Sequence, residues 1–344
     1  MGRLRRPGIL LRLQHYNNVL IAIYLDMGTT NTRAWLAEGA RVVARASRPV
    51  GVRDTARSGS KAIIHAALAE IVKHLGIVAS EAELRAPQCV IAAGMSSSSL
   101  GLAELPHAEA PAGIPELAAS SRWFSLPEVT DLPIFLVPGV RSNPESAALN
   151  SIADADVMRG EETLCVGLIS LGLVEPPALV LNLGSHWKAI QIDAEGRIAA
   201  SITTLSGELI HAAQTQTILA SSIFNEPVDR LDQQWVAAGM REERRSGLPR
   251  AMFCARLFDL AGDGTPKDRL AFVIGAFIAA DLHLFISRGF LPYNTRSVIA
   301  GSAALARAWS SPLEAMSVQA TVLAPAEVDD ALLAGLRAIF LQSS

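Results

Sequence analysis

Residues 20–33 read LIAIYLDMGTTNTR, and residues 178–188 read ALVLNLGSHWK. In each stretch an apolar, β-rich run ends in a turn built from glycine and hydroxyl residues. The first turn is Asp26-Met27-Gly28-Thr29, and the second is Asn182-Leu183-Gly184-Ser185. Short apolar runs bounded by turn residues read as buried strands. The two turns also lead into similar sequence. After the first, Ala34–Ala37 resumes a strand pattern, Glu38-Gly39 turns, and Arg41–Ala46 is a third β-rich run. After the second, Trp187–Ile192 and Arg197–Thr203 complete the same three-strand meander. Two matching meanders in one chain point to an internal duplication, and no short-period repeat competes with it.

Alternating elements come after each meander. Ser60–Leu75 carries Ile63, Ile64, Ala67, Leu68, Ile71, Val72 and Leu75 at helical spacing, and Gly76 stops it. Strands are predicted at Gln88–Ala93 and Ile134–Val137, which gives a βββαβα order and an α/β domain. Ala103–Pro133, rich in Pro, Ala and Ser without a clear period, reads as a long excursion of the kind that often carries function. A polar, loop-like stretch at Arg141–Asp156 marks the expected domain boundary. Beyond it the pattern predicts a helix over Met158–Leu173, the second meander, and a group of helices of which Arg269–Ser287 is the longest and most apolar. A strand at Ser297–Ala300, a helix at Ala303–Trp309, a strand at Val318–Leu323 and a final helix at Asp329–Phe340 complete the reading. The expected domains are residues 20–150 and 151–344. Residues 1–19, with Arg3, Arg5, Arg6 and Arg12 around Ile9, Leu10 and Leu11, have too short an apolar stretch for a signal peptide and read as a disordered or non-native extension.

Composition narrows the classes of function. At 344 residues the chain is long enough for two cores, and half of it is hydrophobic against 18% charged. A net charge of −3 argues against a nucleic-acid surface, which needs a clustered basic excess. Apolar runs are expected to be broken by charge before a membrane could be spanned. Cys89, Cys165 and Cys254 lie far apart, show no zinc-ligand spacing, and fit free thiols in a reducing cytoplasm.

The turns carry the chemistry. Gly28 lets a bound group approach the backbone, and the amides and hydroxyls of Thr29 and Thr30 can surround a phosphate with donors. Asp26, at the strand end, can hold Mg²⁺ through water. Read alone, the same residues describe an ordinary hairpin. The second turn repeats the placement, with Gly184, Ser185 and then Lys188, which is either a phosphate cation or an exposed strand residue. Val298–Leu305 reads VIAGSAAL, a strand ending at Gly301-Ser302 before a helix, where small residues would let a flat base lie against the junction.

These three segments resemble the two phosphate elements and the adenosine element of the superfamily of actin, heat-shock chaperones and sugar kinases. Val157-Met158-Arg159-Gly160-Glu161-Glu162-Thr163 further resembles the MRGEET signature of the 2-dehydro-3-deoxygalactonokinase family. So do Ala93-Gly94-Met95 with the serines after it, Val137-Pro138-Gly139, and Ser206-Gly207-Glu208-Leu209. The resemblance runs in order from about residue 20 to the C-terminus, and MRGEET is its specific part. Two positions depart from it: Leu102 and His107 stand where the family usually has Trp and Tyr. Ser185 replaces a usual Thr but keeps the hydroxyl.

The resemblance implies two ribonuclease-H-like, actin-like α/β domains with a nucleotide cleft between them, and a last helix that crosses back onto the first. It implies ATP and Mg²⁺ as cofactors and phosphorylation of the 6-hydroxyl of a sugar acid, 2-dehydro-3-deoxy-D-galactonate. Phosphoryl transfer to a hydroxyl is assisted by a carboxylate that takes the proton. Glu161 is assigned that role with Arg159 beside it, and Glu162 is assigned to Mg²⁺ or to structure, although two Glu at a helix start also suit its dipole. Asp26, Gly28, Thr29, Thr30, Gly184, Ser185, Lys188, Gly301 and Ser302 are expected at the nucleotide. Arg33, Gly94, Met95, Ser97, Arg159, His186 and Glu208 are expected at the substrate, whose carboxylate calls for a cation drawn from Arg159, Arg33, Arg141 and His186. His107 and His211 read as bland. The rival readings are a kinase for another sugar acid or amino sugar, and a nucleotide-driven binding module. A homodimer is the commonest arrangement among soluble oligomers.

Overall fold

In a computed structural model of the chain, residues 19–143, 149, 151–291 and 296–343 are described. Nearly all of the expected N-terminal extension and part of the 141–156 loop lie outside them. The chain divides into two compact units. The first takes in the chain up to Leu173, Gly196–Ala199 and everything from Asp329 onward; the second takes in Val174–Glu195 and Ala200–Val328.

The first unit is built on β1 (Ile21–Met27), β2 (Thr32–Glu38), β3 (Arg41–Arg48), β4 (Val90–Gly94), β6 (Arg122–Leu126) and β7 (Thr130–Leu136), in the order β3-β2-β1-β4-β7-β6. β1 pairs antiparallel with β2 and parallel with β4, and β4 pairs parallel with β7. All seven residues of β1 are buried, which is why it reads as one apolar run rather than an alternation. Helix Ala62–Glu81 packs Ile64, Leu68, Ile71, Val72, Leu75 and Ala79 into the core at helical spacing. The excursion after Ala103 is more ordered than its sequence suggests. It holds β5 (Ala108–Glu109), helix Ile114–Ser120 and β6, and β5 joins β8 (Val140–Ser142) and β9 (Asp156–Met158) in a separate small sheet. Such short, Pro-interrupted elements leave little periodicity to read.

The unit does not end near residue 150. The helix Glu161–Ser170 stays with it because it crosses the last helix, Pro325–Gln342, backbone against backbone. A Cβ at Gly167 would collide with Ala331 O, and one at Gly335 with Thr163 O. Phe340 of the last helix also meets Trp123 and Phe135 edge to face, at 6.0 and 5.3 Å between centroids.

The second unit repeats the order in β12-β11-β10-β13-β14, with β10 (Ala178–Leu183), β11 (Trp187–Ile192), β12 (Ile198–Thr204, in this unit from Ala200 onward), β13 (Arg296–Gly301) and β14 (Gln319–Val322). β10 pairs antiparallel with β11 and parallel with β13. Its core helix, Pro266–Ser287, crosses helix Gln233–Ser246 closely at Gly239 and Gly275. Trp187, Trp309 and Phe285 pack together beside β10. Contrary to the sequence expectation, Ala62–Glu81 and Pro266–Ser287 are both long and apolar enough to cross a membrane, by length and composition alone. In the structure each contributes side chains to the core of its unit.

Candidate active site

In the first unit, β1 delivers Asp26 to the carboxyl end of the sheet, and Gly28 N donates to Asn31 O at 2.8 Å to close the turn. The turn is backed by the start of helix Val52–Ser58. A Cβ on Gly51 would fall 2.5 Å from Gly28 O and Thr29 O. Val52 N and Arg53 N donate to those two carbonyls at 3.3 and 2.9 Å. Asp26 is 7% exposed and pairs with Arg33 at 2.9 Å, while Arg33 also reaches Asp329 at 2.8 Å. Burial lifts the Asp26 carboxyl above the ordinary carboxylate range. Arg33 opposes that, and the negative charges of Glu161 and Asp329 add to it.

Two glycines bring the signature loop to Asp26. Gly94 ends β4 beside Met27, with φ +68°, and a Cβ there would strike Met27 O and lie 2.9 Å from Asp26 Oδ1. Gly160 has φ +109°, a conformation that favours glycine, and its missing Cβ would lie 3.4 Å from Gly94 Cα and 3.7 Å from Asp26 Oδ1. This break separates β9 from the helix that begins at Glu161, where the sequence suggested continuous helix from Met158. Glu161 is half-buried and accepts from Arg159 N at 3.2 Å.

The neighbours of Glu161 are held largely by one another and by backbone groups. Glu162 is fully buried, and both its oxygens accept from Gly160 N, at 2.9 and 2.7 Å. It caps its own helix. Ser97 is also fully buried: its hydroxyl donates to Gly94 O at 3.2 Å and accepts from Arg159 Nη1 at 2.8 Å. It therefore holds Arg159. Arg159 Nη2 donates to Leu105 O at 2.8 Å, so this arginine ties the signature to the loop beyond Met95. Burial lowers the Arg159 pKa, against the pull of Glu162 and Glu104. Arg33 is engaged by two carboxylates, which makes it the counter-ion of Asp26. Leu102 is 1% exposed and belongs to the core. His107, read as bland, lies with Arg159 around Gly139, where a Cβ would be 3.0 Å from His107 Cδ2 and 2.6 Å from Arg159 Cγ.

In the second unit, Gly184 is exposed and Ser185 half-buried at the turn between β10 and β11. Lys188 is 3% exposed, which removes the reading of an exposed strand residue. A helix start again backs the turn. Gly207, second residue of helix Ser206–Gln216, lies so close that a Cβ would collide with Gly184 O and come within 2.7 Å of Ser185 O. Ser302 caps helix Ala303–Ala315, its hydroxyl accepting from Leu305 N at 3.4 Å. Gly184, Gly207 and Ser302 line one cavity of about 240 Å³, together with Trp187, Leu231 and Ile274. The turn and the strand–helix junction, 117 residues apart in sequence from Gly184 to Gly301, thus serve one recess. His186 Nε2 and Glu208 Oε2, both expected at substrate, meet each other at 3.2 Å. Among the described residues, no group of three or more His, Cys, Asp or Glu could hold a metal ion.

Sequence reasoning missed the backing roles of Gly51 and Gly207, and the buried Asp281. The two glycines come after their meanders' turns at comparable points, and that parallel was the available signal.

The fold is that of the two-domain sugar kinases, enzymes that move a phosphoryl group onto an alcohol, and the family match places the chain among them. The model of the family described as 2-keto-3-deoxy-galactonokinase matches residues 26–339, and the chain belongs to that family. It is 26% identical over 322 residues to the 2-dehydro-3-deoxygalactonokinase of Escherichia coli K12, covering 92% of this chain and 96% of that one. The crystal structure of a candidate 2-dehydro-3-deoxygalactonokinase from Sinorhizobium meliloti shares the fold, with a TM-score of 0.72 at 21% identity over 92% of this chain and 95% of that one.

Proposed function

We propose that this sugar-acid kinase transfers the γ-phosphoryl group of ATP to the 6-hydroxyl of 2-dehydro-3-deoxy-D-galactonate. The observation that carries the reading is the convergence of Asp26, Gly94 and Gly160-Glu161 at one sheet end, with the family match across the chain. The acceptor hydroxyl attacks the γ-phosphorus, the bond to the β-phosphate oxygen breaks, and the hydroxyl proton passes to Glu161 as ADP leaves. Glu161 suits this role because it is half-buried beside Asp26, whereas Glu162 is a fully buried cap. Gly28, Thr29 and Thr30 in the first unit, and Gly184, Ser185 and Lys188 in the second, are the proposed phosphate contacts. The cavity beside Gly301-Ser302 is the proposed adenosine site.

Magnesium fits this donor set only as an ion held mainly by nucleotide phosphates and water, with Asp26 as a protein carboxylate. It would offset the charge of the phosphates when bound. Arg159 has five N–H donors, of which Ser97 and Leu105 O take two. The others are proposed to receive the substrate carboxylate, with Met95 alongside. The three cysteines are free, which supports a cytoplasmic setting. A coupled ADP-release assay across a panel of sugar acids tests the assignment. The 2-dehydro-3-deoxy acid should be turned over with the highest kcat/KM. A clear preference for another acid or an amino sugar would move the substrate assignment, and no acceptor-dependent ADP release at all would end the kinase reading.

A further inference from the structure

Helix Pro266–Ser287 buries an almost continuous apolar surface, and one carboxylate, Asp281, is set into it at 5% exposure. A buried carboxylate is costly unless donors satisfy it. Here Asp281 Oδ2 accepts from Thr204 Oγ1 at 2.6 Å and from Ser206 Oγ at 2.8 Å, and the two hydroxyls are 3.0 Å apart. Burial and these two hydroxyls account for its electrostatic setting, with no charged partner among the described residues. The position of its partners gives the carboxylate its meaning. Thr204 is the last residue of β12, Ser206 is the first of helix Ser206–Gln216, and only Leu205 stands between them. Asp281 thus grips both sides of the joint from which that helix springs. The next residue is Gly207, whose backbone abuts the carbonyls of Gly184 and Ser185, and Gly207 and Ile210 form part of the cavity wall.

We propose that Asp281 is a positioning residue for the nucleotide: it fixes the start of helix Ser206–Gln216 so that Gly207 closes on the Gly184 turn. The inference rests on the reading of that cavity as the ATP site. Asp281 touches no ligand itself and acts through Thr204 and Ser206. Removing the acceptor strands two buried hydroxyls and frees the joint. Asparagine keeps one oxygen that can accept from both hydroxyls, so it should preserve the joint without the charge.

The test is steady-state kinetics with ATP and acceptor varied separately, alongside calorimetric ATP titration and thermal melting, for wild type, Asp281→Ala and Asp281→Asn. Asp281→Ala should raise KM and Kd for ATP about tenfold, the scale of one lost charge-assisted hydrogen bond, with the acceptor KM moved less than about twofold. Asp281→Asn should return ATP binding to within about twofold of wild type. Should Asp281→Ala not fold, Ser206→Ala, which removes one donor, is held to the same ATP-against-acceptor split. If a folded Asp281→Ala or Ser206→Ala binds ATP as wild type does, or if both KM values move together, the positioning role is overturned. If wild type itself shows no saturable ATP binding, the failure lies with the nucleotide reading beneath it.

Discussion

The two Gly-hydroxyl turns share a frame but differ in charge. Each comes after a buried strand, and each is backed by a helix whose glycine permits backbone contact, Gly51 in the first unit and Gly207 in the second. At the first turn, Val52 N and Arg53 N bond the turn's carbonyls directly, and the strand end carries Asp26 with Arg33 as counter-ion. At the second, the position two before the glycine is Asn182, and the carboxylate comes from behind, where Asp281 works through hydroxyls. A duplicated scaffold has therefore been given two jobs. One copy gathers ionisable groups, buried Asp26 and half-buried Glu161, at its sheet end. The other keeps Asp281 buried behind its turn and presents a small recess of glycine, serine and mostly apolar side chains, with Gln214 and Glu226 among them.

The largest expected effect breaks the first half of that contrast. Glu161→Gln keeps size and hydrogen-bonding reach but cannot take a proton. General-base contributions are about 10²–10⁴-fold, so kcat should fall in that range while ATP affinity changes little. Glu162→Gln should lower kcat far less, since it is a buried cap turned away from its neighbour. Retained kcat in Glu161→Gln with loss in Glu162→Gln would shift the assignment by one residue. Activity in both would point to another base, with Asp26 and Glu208 next in line.

The second effect concerns the hidden carboxylate and is read in stability. Burial raises the Asp281 pKa from 3.8 to about 6, against the opposing hydrogen bonds of Thr204 and Ser206. A carboxyl with a raised folded-state pKa binds its proton more tightly when folded. Its stabilising contribution is full below pH 3.8 and is lost as pH rises through about 6. The span corresponds to roughly 3 kcal/mol. Denaturant unfolding at pH 5 and pH 7 should show wild type losing more stability than Asp281→Asn over that interval. Parallel curves for the two proteins would mean that Asp281 titrates as it does in water.

How far these features were legible depends on whether local pattern or distant contact creates them. The strands before both turns were readable because buried parallel-sheet strands are continuous apolar runs, as in β1 and β10. Helix Ala62–Glu81 was readable because one face is core. The different settings of Glu161 and Glu162 were only half readable. A helix rotates about 100° per residue, so the two must point apart, but which points inward depends on the packing of Glu161–Ser170 against Pro325–Gln342. The protein partners of Ser97 and Arg33 were hidden for a related reason. Both are chemically suited to a ligand, and nothing local reveals that Arg159 occupies one and that Asp26 and Asp329 occupy the other. Asp281 was out of reach altogether: it is an acid set in the apolar stretch of its helix, 77 and 75 residues from its two partners.

The smallest effect isolates the second turn from the fold around it. Most glycines near the sites cannot be tested cleanly, because a side chain at Gly51, Gly94 or Gly207 would meet backbone atoms and disturb packing as well as ligand. Gly184 is different. It is exposed, and the nearest atom to an added Cβ is His186 O at 4.0 Å. Gly184→Val should therefore fold with a melting temperature within a degree or two of wild type, on the order expected for a surface change below about 0.5 kcal/mol. The added side chain would, however, occupy the space that a phosphate takes beside the turn. ATP Kd should rise about tenfold, equivalent to about 1.4 kcal/mol. The corresponding change in the first turn, Gly28→Val, places its Cβ 3.2 Å from Asn31 O and should lower both ATP affinity and stability. The pair sharpens the comparison: a binding defect without a folding defect at Gly184, and both at Gly28. A normal ATP titration for folded Gly184→Val would take the second turn out of the nucleotide site, and the cavity beside it would lose its assigned ligand.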